Sequence, residues 1–156
     1  MSAAEGAESI KIHTTRFGEL EVARSSLIQV VAGLVGFPQS KSFVLLDYTA
    51  PFSWLQSTEN PDLAFVVVNA AEFGDNYVFE LPFGDRELEL GKDDEVAIFN
   101  VVSIRPNAVD STVNLKAPVI VNLRNRRGRQ IILDDPRFPT RMPLWSGDSA
   151  EGEETK

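Results

Sequence analysis

At 156 residues, with 43% hydrophobic residues and a formal net charge of −8, the chain has the size of one domain and enough apolar material to bury a core without staples. The absence of cysteine excludes disulfides and thiolate metal ligands together, and it fits a reducing compartment, so the expected location is the cytoplasm. So acidic an average field repels phosphate backbones and argues against direct nucleic-acid binding, and no apolar run is long enough to span a bilayer.

Residues 1–8 carry neither a basic start nor an apolar run, so they are not a secretory signal, and they are expected to be disordered. Strand-like segments follow at 9–14, 19–22, 27–31, 43–46, 53–56, 64–69, 77–80, 95–104, 112–116, 119–123 and 129–133, separated by short Gly, Pro, Asn and Asp clusters. In the first, Ile10, Ile12 and Thr14 alternate with Lys11 and His13, as a half-buried strand should. Gly33 and Gly36 permit a left-handed turn with Phe37 packing behind it. Ala70-Ala71-Glu72-Phe73 is expected to form one helical turn. A second helical turn is expected at 86–90, capped by Asp85 and stopped by Gly91. The long segment 95–104 is apolar on both faces and is expected to be covered on both sides. Residues 146–156, rich in Gly, Ser and acids, cannot bury enough apolar area to fold and are expected to be disordered. The expected fold is all-β, a compact β-barrel-like single domain over 9–145 with one or two short helical turns.

A catalytic triad needs a base, and the only histidine, His13, has no cysteine to activate and no serine elbow around it. One histidine and no cysteine are too few for a zinc site. The acidic pairs Asp134-Asp135 and Asp93-Asp94 lack calcium-loop spacing, and adjacent residues on an extended chain point apart. Gly33 to Gly36 lacks the flanking helices of an RNA-clamping loop. No catalytic, metal or cofactor residue is therefore assigned, and the chain is expected to be an interaction protein rather than an enzyme. Three features are candidate partner-binding elements. Arg124, Arg126 and Arg127 concentrate positive charge at a hairpin tip, suited to a carboxylate-bearing partner. Phe52 and Trp54 share one side of a strand, and Phe73 and Tyr77 flank a Gly74-Asp75-Asn76 loop; any of them left exposed is an interface anchor.

Four stretches, in order, carry a family pattern: Phe17-Gly18-Glu19-Leu20-Glu21-Val22 with Gly33-Leu34-Val35-Gly36-Phe37; Pro51-Phe52-Ser53-Trp54-Leu55-Gln56-Ser57; Pro61-Asp62-Leu63-Ala64-Phe65-Val66-Val67-Val68; and Asn114-Leu115-Lys116-Ala117-Pro118-Val119-Ile120-Val121-Asn122 followed by Gln130-Ile131-Ile132-Leu133-Asp134-Asp135. Together they resemble the FliW family of flagellar assembly factors over roughly residues 10–144. The chain departs from the family at Val35, where proline is usual, and near Asn69-Ala70-Ala71, where a proline after the buried strand is replaced. The resemblance implies a β-barrel-like fold and a regulatory chaperone that is a monomer when free. It also implies two partners, flagellin and the RNA-binding translational repressor CsrA, exchanged so that FliW relieves repression of the flagellin message when flagellin is exported. The alternative class is a small β-barrel that holds flavin or another cofactor.

Overall fold

Alternation of apolar and polar side chains builds the first element. The computed structural model describes residues 8–144 and opens on a hairpin of β1 (Ser9–Thr14) and β2 (Gly18–Ala23), with Ile12 and Thr14 buried and Lys11 and His13 in solvent. Thr14 locks its turn, its Oγ1 accepting from the Phe17 N–H at 2.7 Å and donating to the Gly18 carbonyl at 2.9 Å.

Nine further strands form one sheet: β3 (Ile28–Gln29), β4 (Ser42–Asp47), β5 (Phe52–Ser57), β6 (Ala64–Asn69), β7 (Val96–Ser103), β8 (Thr112–Val113), β9 (Val119–Asn122), β10 (Arg127–Gln130) and β11 (Met142–Pro143). Seven of them close into a barrel in the order β3-β4-β5-β6-β7-β9-β10, because β10 returns to lie parallel to β3 through Arg127 and Gln29. Gly128 eases this closure, since a Cβ there would crowd Ile28 Cγ2 at 3.1 Å and Val30 Cγ2 at 3.3 Å. β8 and β11 continue the sheet outside the barrel as a short ribbon on the far half of β7. Closure leaves few free edges for stray pairing.

β7 distributes three cores. Phe99 and Ala97 face the barrel interior with Ile28, Val30, Phe43, Leu55 and Val67. Val102 faces a second cluster with Tyr77, Val113 and Phe138, and Val96 and Ile98 pack on a third made of Leu88, Leu90 and Ile120. The both-sided covering expected of this strand is what the structure has. Asn100, fully buried on β7, is held by Nδ2 donations to Tyr77 Oη at 2.9 Å and to the Asn114 carbonyl at 2.9 Å.

Several local expectations differ from what forms. Residues 78–80 are irregular rather than a strand, because Tyr77 is drawn inward and its hydroxyl donates to the Leu115 carbonyl at 2.6 Å. The segment expected to be a strand at 112–116 stops at Val113, where Asn114 Oδ1 accepts from the N–H groups of Lys116 and Ala117 and turns the chain. The helical turn expected at 70–73 forms as 3-10 helix, opened by Asn69 Oδ1 accepting from the Ala71 N–H, and the span Ala70–Asn76 is broken by a kink at Gly74 (φ 60°, ψ −146°). Asp85 does cap the next turn, accepting from the N–H groups of Glu87 and Leu88, but the turn stops at Glu89 in a left-handed conformation (φ 49°) rather than at Gly91. Gly33 adopts φ +73° as expected, and its Cβ position would lie 2.5 Å from the Pro38 carbonyl oxygen. The disorder expected at both ends falls outside the described residues, except at Glu8, whose carbonyl accepts the Arg24 N–H at 2.8 Å. Among the described residues no helix is long and apolar enough to cross a membrane.

Candidate docking surfaces

The arginine tip is the strongest sequence signal and the most altered by folding. β9 and β10 are joined by a turn at 123–126, with Arg126 in the left-handed region (φ 62°), so Arg127 and Arg129 fall on β10 itself. Each of these arginines meets an acidic or carbonyl group of its own chain. Arg124 Nε donates to Asp94 Oδ1 at 2.9 Å and its Nη2 to the Glu89 carbonyl at 2.7 Å. Arg126 Nη2 donates to the Ser26 carbonyl at 2.9 Å; Arg127 lies 3.7 Å from the Glu89 carboxylate, and Arg129 lies 2.7 Å from that of Asp85 without an aligned hydrogen bond. Buried Asn122 completes the clamp, with Nδ2 donating to the Leu88 carbonyl at 3.0 Å and to Asp94 Oδ2 at 3.1 Å.

The hydrogen bond from Arg124, with a second from the Gly91 N–H, holds the Asp94 carboxyl down at about 2, well below its usual range. The cluster thus pins residues 85–94 over fully buried Leu88 and the third core. Of the arginines expected to face an acidic partner, Arg124 and Arg127 also meet the Asp94 and Glu89 carboxylates and Arg126 a backbone carbonyl, all brought from distant parts of the chain beyond the reach of local sequence reasoning. Asp135 is likewise held at about 2, chiefly by a hydrogen bond from Arg137. Asp93-Asp94 and Asp134-Asp135 are accordingly turn and clamp residues. Among the described residues no three His, Asp or Glu side chains gather as a metal site would require.

Tyr77, expected on a loop, is a core residue. It packs against Phe73, Phe79 and Phe138 at ring separations of 5.6, 5.2 and 4.9 Å, and burial pushes its phenol pKa up. Phe73 is half-buried against the same cluster. Tyr77 is covered by this packing, whereas Phe73 keeps part of its surface in solvent.

Phe52 is half-buried against the same cluster as Phe73, and Trp54 is half-buried outside it. Both lie on the outer side of β5, whose next inward residue, Leu55, enters the barrel core. Trp54 stacks at 4.8 Å on Tyr48, in the β4–β5 turn, and meets Phe17 of the first hairpin edge-on at 6.4 Å. The Arg16 guanidinium lies 4.1 Å from the Trp54 ring centre, a cation–π contact. Tyr48 and Phe52 then form one wall of a mainly apolar groove of about 270 Å³, whose other walls include Ile104, Ala108 and Leu144. Tyr48 is 48% exposed, Ile104 50% and Val109, beside Ala108, 56%. Aromatic stack and groove therefore form a continuous face through their shared residues Tyr48 and Phe52.

Sequence reasoning found Phe52 and Trp54 but missed Tyr48, Ile104 and Val109. The available signal was an aromatic or branched apolar residue standing inside turn-forming stretches, Tyr48-Thr49-Ala50-Pro51 and Ile104-Arg105-Pro106-Asn107, where burial is unavailable. Exposed aromatics beside an arginine have the composition of protein interfaces.

The class defined by this geometry is a small closed seven-stranded β-barrel with an uncovered aromatic face. Comparison with known proteins narrows it. The family model described as FliW protein matches residues 11–144. The chain is 42% identical to the flagellar assembly factor FliW of Caldicellulosiruptor saccharolyticus over 83% of this chain and 86% of that protein. It is 41% identical to the flagellar assembly factor FliW of an Exiguobacterium species, over 90% and 97%. A crystal structure of the flagellar assembly factor FliW superposes with a TM-score of 0.79 at 29% identity, covering 88% of this chain and 98% of that one. The chain belongs to the FliW family, as its four ordered motifs led us to expect.

Proposed function

We propose that this chain is a flagellar assembly factor that works by stoichiometric protein binding in the cytoplasm, with flagellin and CsrA as alternative partners. Free flagellin occupies it and leaves CsrA to repress the flagellin message; once flagellin is exported, the freed factor captures CsrA and relieves repression. Family membership supports the identity of the partners. The single observation that carries the mechanism is the aromatic face on which exposed Phe17 and Tyr48 flank half-buried Phe52 and Trp54, on an otherwise acidic protein. The free protein is a monomer, the folded unit is 9–145, and the flanking residues are dispensable for folding. No catalysis enters this reading.

Net charge of −8 supports action on CsrA rather than on RNA, since direct phosphate contact needs a positive surface. The test is a titration of CsrA bound to flagellin leader RNA. Adding this protein should release the RNA, and adding flagellin should return CsrA to it. Absence of release, or release that flagellin does not reverse, would sink the partner switch.

A further inference from the structure

The short ribbon outside the barrel has two unlike faces. Across β7, β8 and β11, Val102 pairs with Val113 and Val113 with Met142, and all three pack in the second core. Paired residues share a face, so the next row, Ser103, Thr112 and Pro143, turns the other way, toward solvent. Ser103 and Thr112, with Arg105 beyond the end of β7, Arg141 just before β11, and Asp110, line a cleft of about 370 Å³.

Ser103 and Thr112 bring hydroxyls to this cleft, and among the described residues neither Arg105 nor Arg141 has a carboxylate within ion-pair distance, that of Asp110 included. Two guanidiniums against one carboxylate leave a local positive excess on a chain of net charge −8. That contrast decides what lands here. An acidic segment is repelled by most of the surface, and screening over about 8 Å lets the nearest charges dominate where guanidiniums stand without partners. A polyanion such as RNA needs a longer positive surface than two arginines supply. The segment 104–112 joins this cleft to the apolar groove, since Ile104, Ala108 and Ser111 line the groove while Arg105, Asp110 and Thr112 line the cleft.

We propose that this cleft is a carboxylate-binding site, in which Arg105 and Arg141 take an Asp or Glu side chain of a protein partner whose apolar anchor lies in the adjoining groove. Each guanidinium presents a planar fork of N–H donors that matches a carboxylate, and hydroxyls such as those of Ser103 and Thr112 can meet its remaining lone pairs. Use of the cleft by flagellin or CsrA rests on the docking role proposed above; the affinity of the cleft for carboxylate does not. The aromatic face then supplies most of the affinity, and the cleft supplies register and selectivity. A segment with an apolar anchor but no acid nearby keeps the groove contacts and leaves both guanidiniums in water.

The experiment titrates the full chain, its arginine side chains labelled with 15N, with two synthetic peptides, acetyl-Trp-Ala-Ala-Glu-Glu-amide and its Gln-Gln counterpart. The Nε resonances of Arg105 and Arg141, assigned with Arg105→Lys and Arg141→Lys, should shift with the glutamate peptide and hold still with the glutamine one, and added salt should reverse the shift. Equal response to both peptides, or none at either arginine, overturns the carboxylate site. A larger response to a short oligoribonucleotide assigns the cleft to phosphate and overturns it too. In parallel, calorimetry follows flagellin binding. Arg105→Ser combined with Arg141→Ser should weaken it about tenfold at low salt and reduce its salt dependence, lysine at both positions should recover part of the loss, and Arg86→Ser, which removes an exposed positive charge elsewhere, should leave it unchanged. Flagellin affinity equal in parent and serine variant, with the peptide shifts present, overturns the use of the cleft by flagellin. Absence of flagellin binding by the parent refutes the partner reading and leaves the cleft to be judged on the peptide titration alone.

Discussion

The two arginine-bearing regions of this barrel make opposite use of the same side chain. At the β9–β10 tip, Arg124, Arg127 and Arg129 face Asp94, Glu89 and Asp85 and help to hold residues 85–94 in place around buried Leu88. At the β4–β5 end, Arg16 lies over Trp54, and Arg105 and Arg141 line an open cleft beside exposed Tyr48 and Ile104. Charge density along the sequence is higher at the tip, yet among the described residues the tip arginines Arg124, Arg127 and Arg129 have carboxylate partners, whereas Arg16, Arg105 and Arg141 have none. What decides is where the fold brings its carboxylates, and an acidic chain has enough of them to silence whichever basic cluster they meet.

Breaking the clamp should have the largest effect. Asn122→Ala strips buried donors from the Leu88 carbonyl and from Asp94, and it is expected to cost about 2–3 kcal/mol in chemical denaturation while leaving partner affinity of the folded protein intact. A loss of affinity at full folding would put a partner at the tip. On the other region, Trp54→Ala should lower flagellin affinity by roughly thirtyfold, about 2 kcal/mol, with a smaller loss of stability because Trp54 is only half-buried. Calorimetry on the folded variant measures it, and an unchanged Kd would remove the aromatic face from consideration.

Arg124→Ser sharpens the contrast. It should open residues 85–94, seen as faster hydrogen exchange at the Leu88 amide, without reducing the salt dependence of partner binding; Arg105→Ser should do the reverse. The smallest effect is on pH. Asp94, held down at about 2, stabilises the fold at every pH above its unfolded value, near 3.8, and that contribution is lost as pH falls through about 2. Asp94→Asn should therefore flatten the decline in stability between roughly pH 4 and pH 2. An identical acid profile in the variant would assign the decline to Asp135 or to other carboxylates.

Strand positions and barrel character were legible because alternation and turn residues are local, as in Ile10, Ile12 and Thr14 or the both-sided β7. The parallel return of β10 to β3 was not legible, since it joins residues about one hundred apart and is eased by a glycine whose advantage is steric. Tyr77 misled for a related reason. A glycine-rich neighbour, Gly74-Asp75-Asn76, suggested exposure, but the chain turns there to place Tyr77 on Asn100 and Leu115. Phe52 and Trp54 were legible as a pair, and their partners Tyr48 and Ile104 were not, because exposure of an apolar side chain depends on what the rest of the chain leaves uncovered.

The most direct test of the docking face is hydrogen–deuterium exchange of the full protein with and without flagellin. Binding should protect residues 15–18, 47–54 and 104–111, around Phe17, Tyr48, Trp54 and Ile104, and leave exchange at 122–128 unchanged. Protection confined to 122–128, with the aromatic segments unaffected, would contradict it and return the partner to the arginine tip.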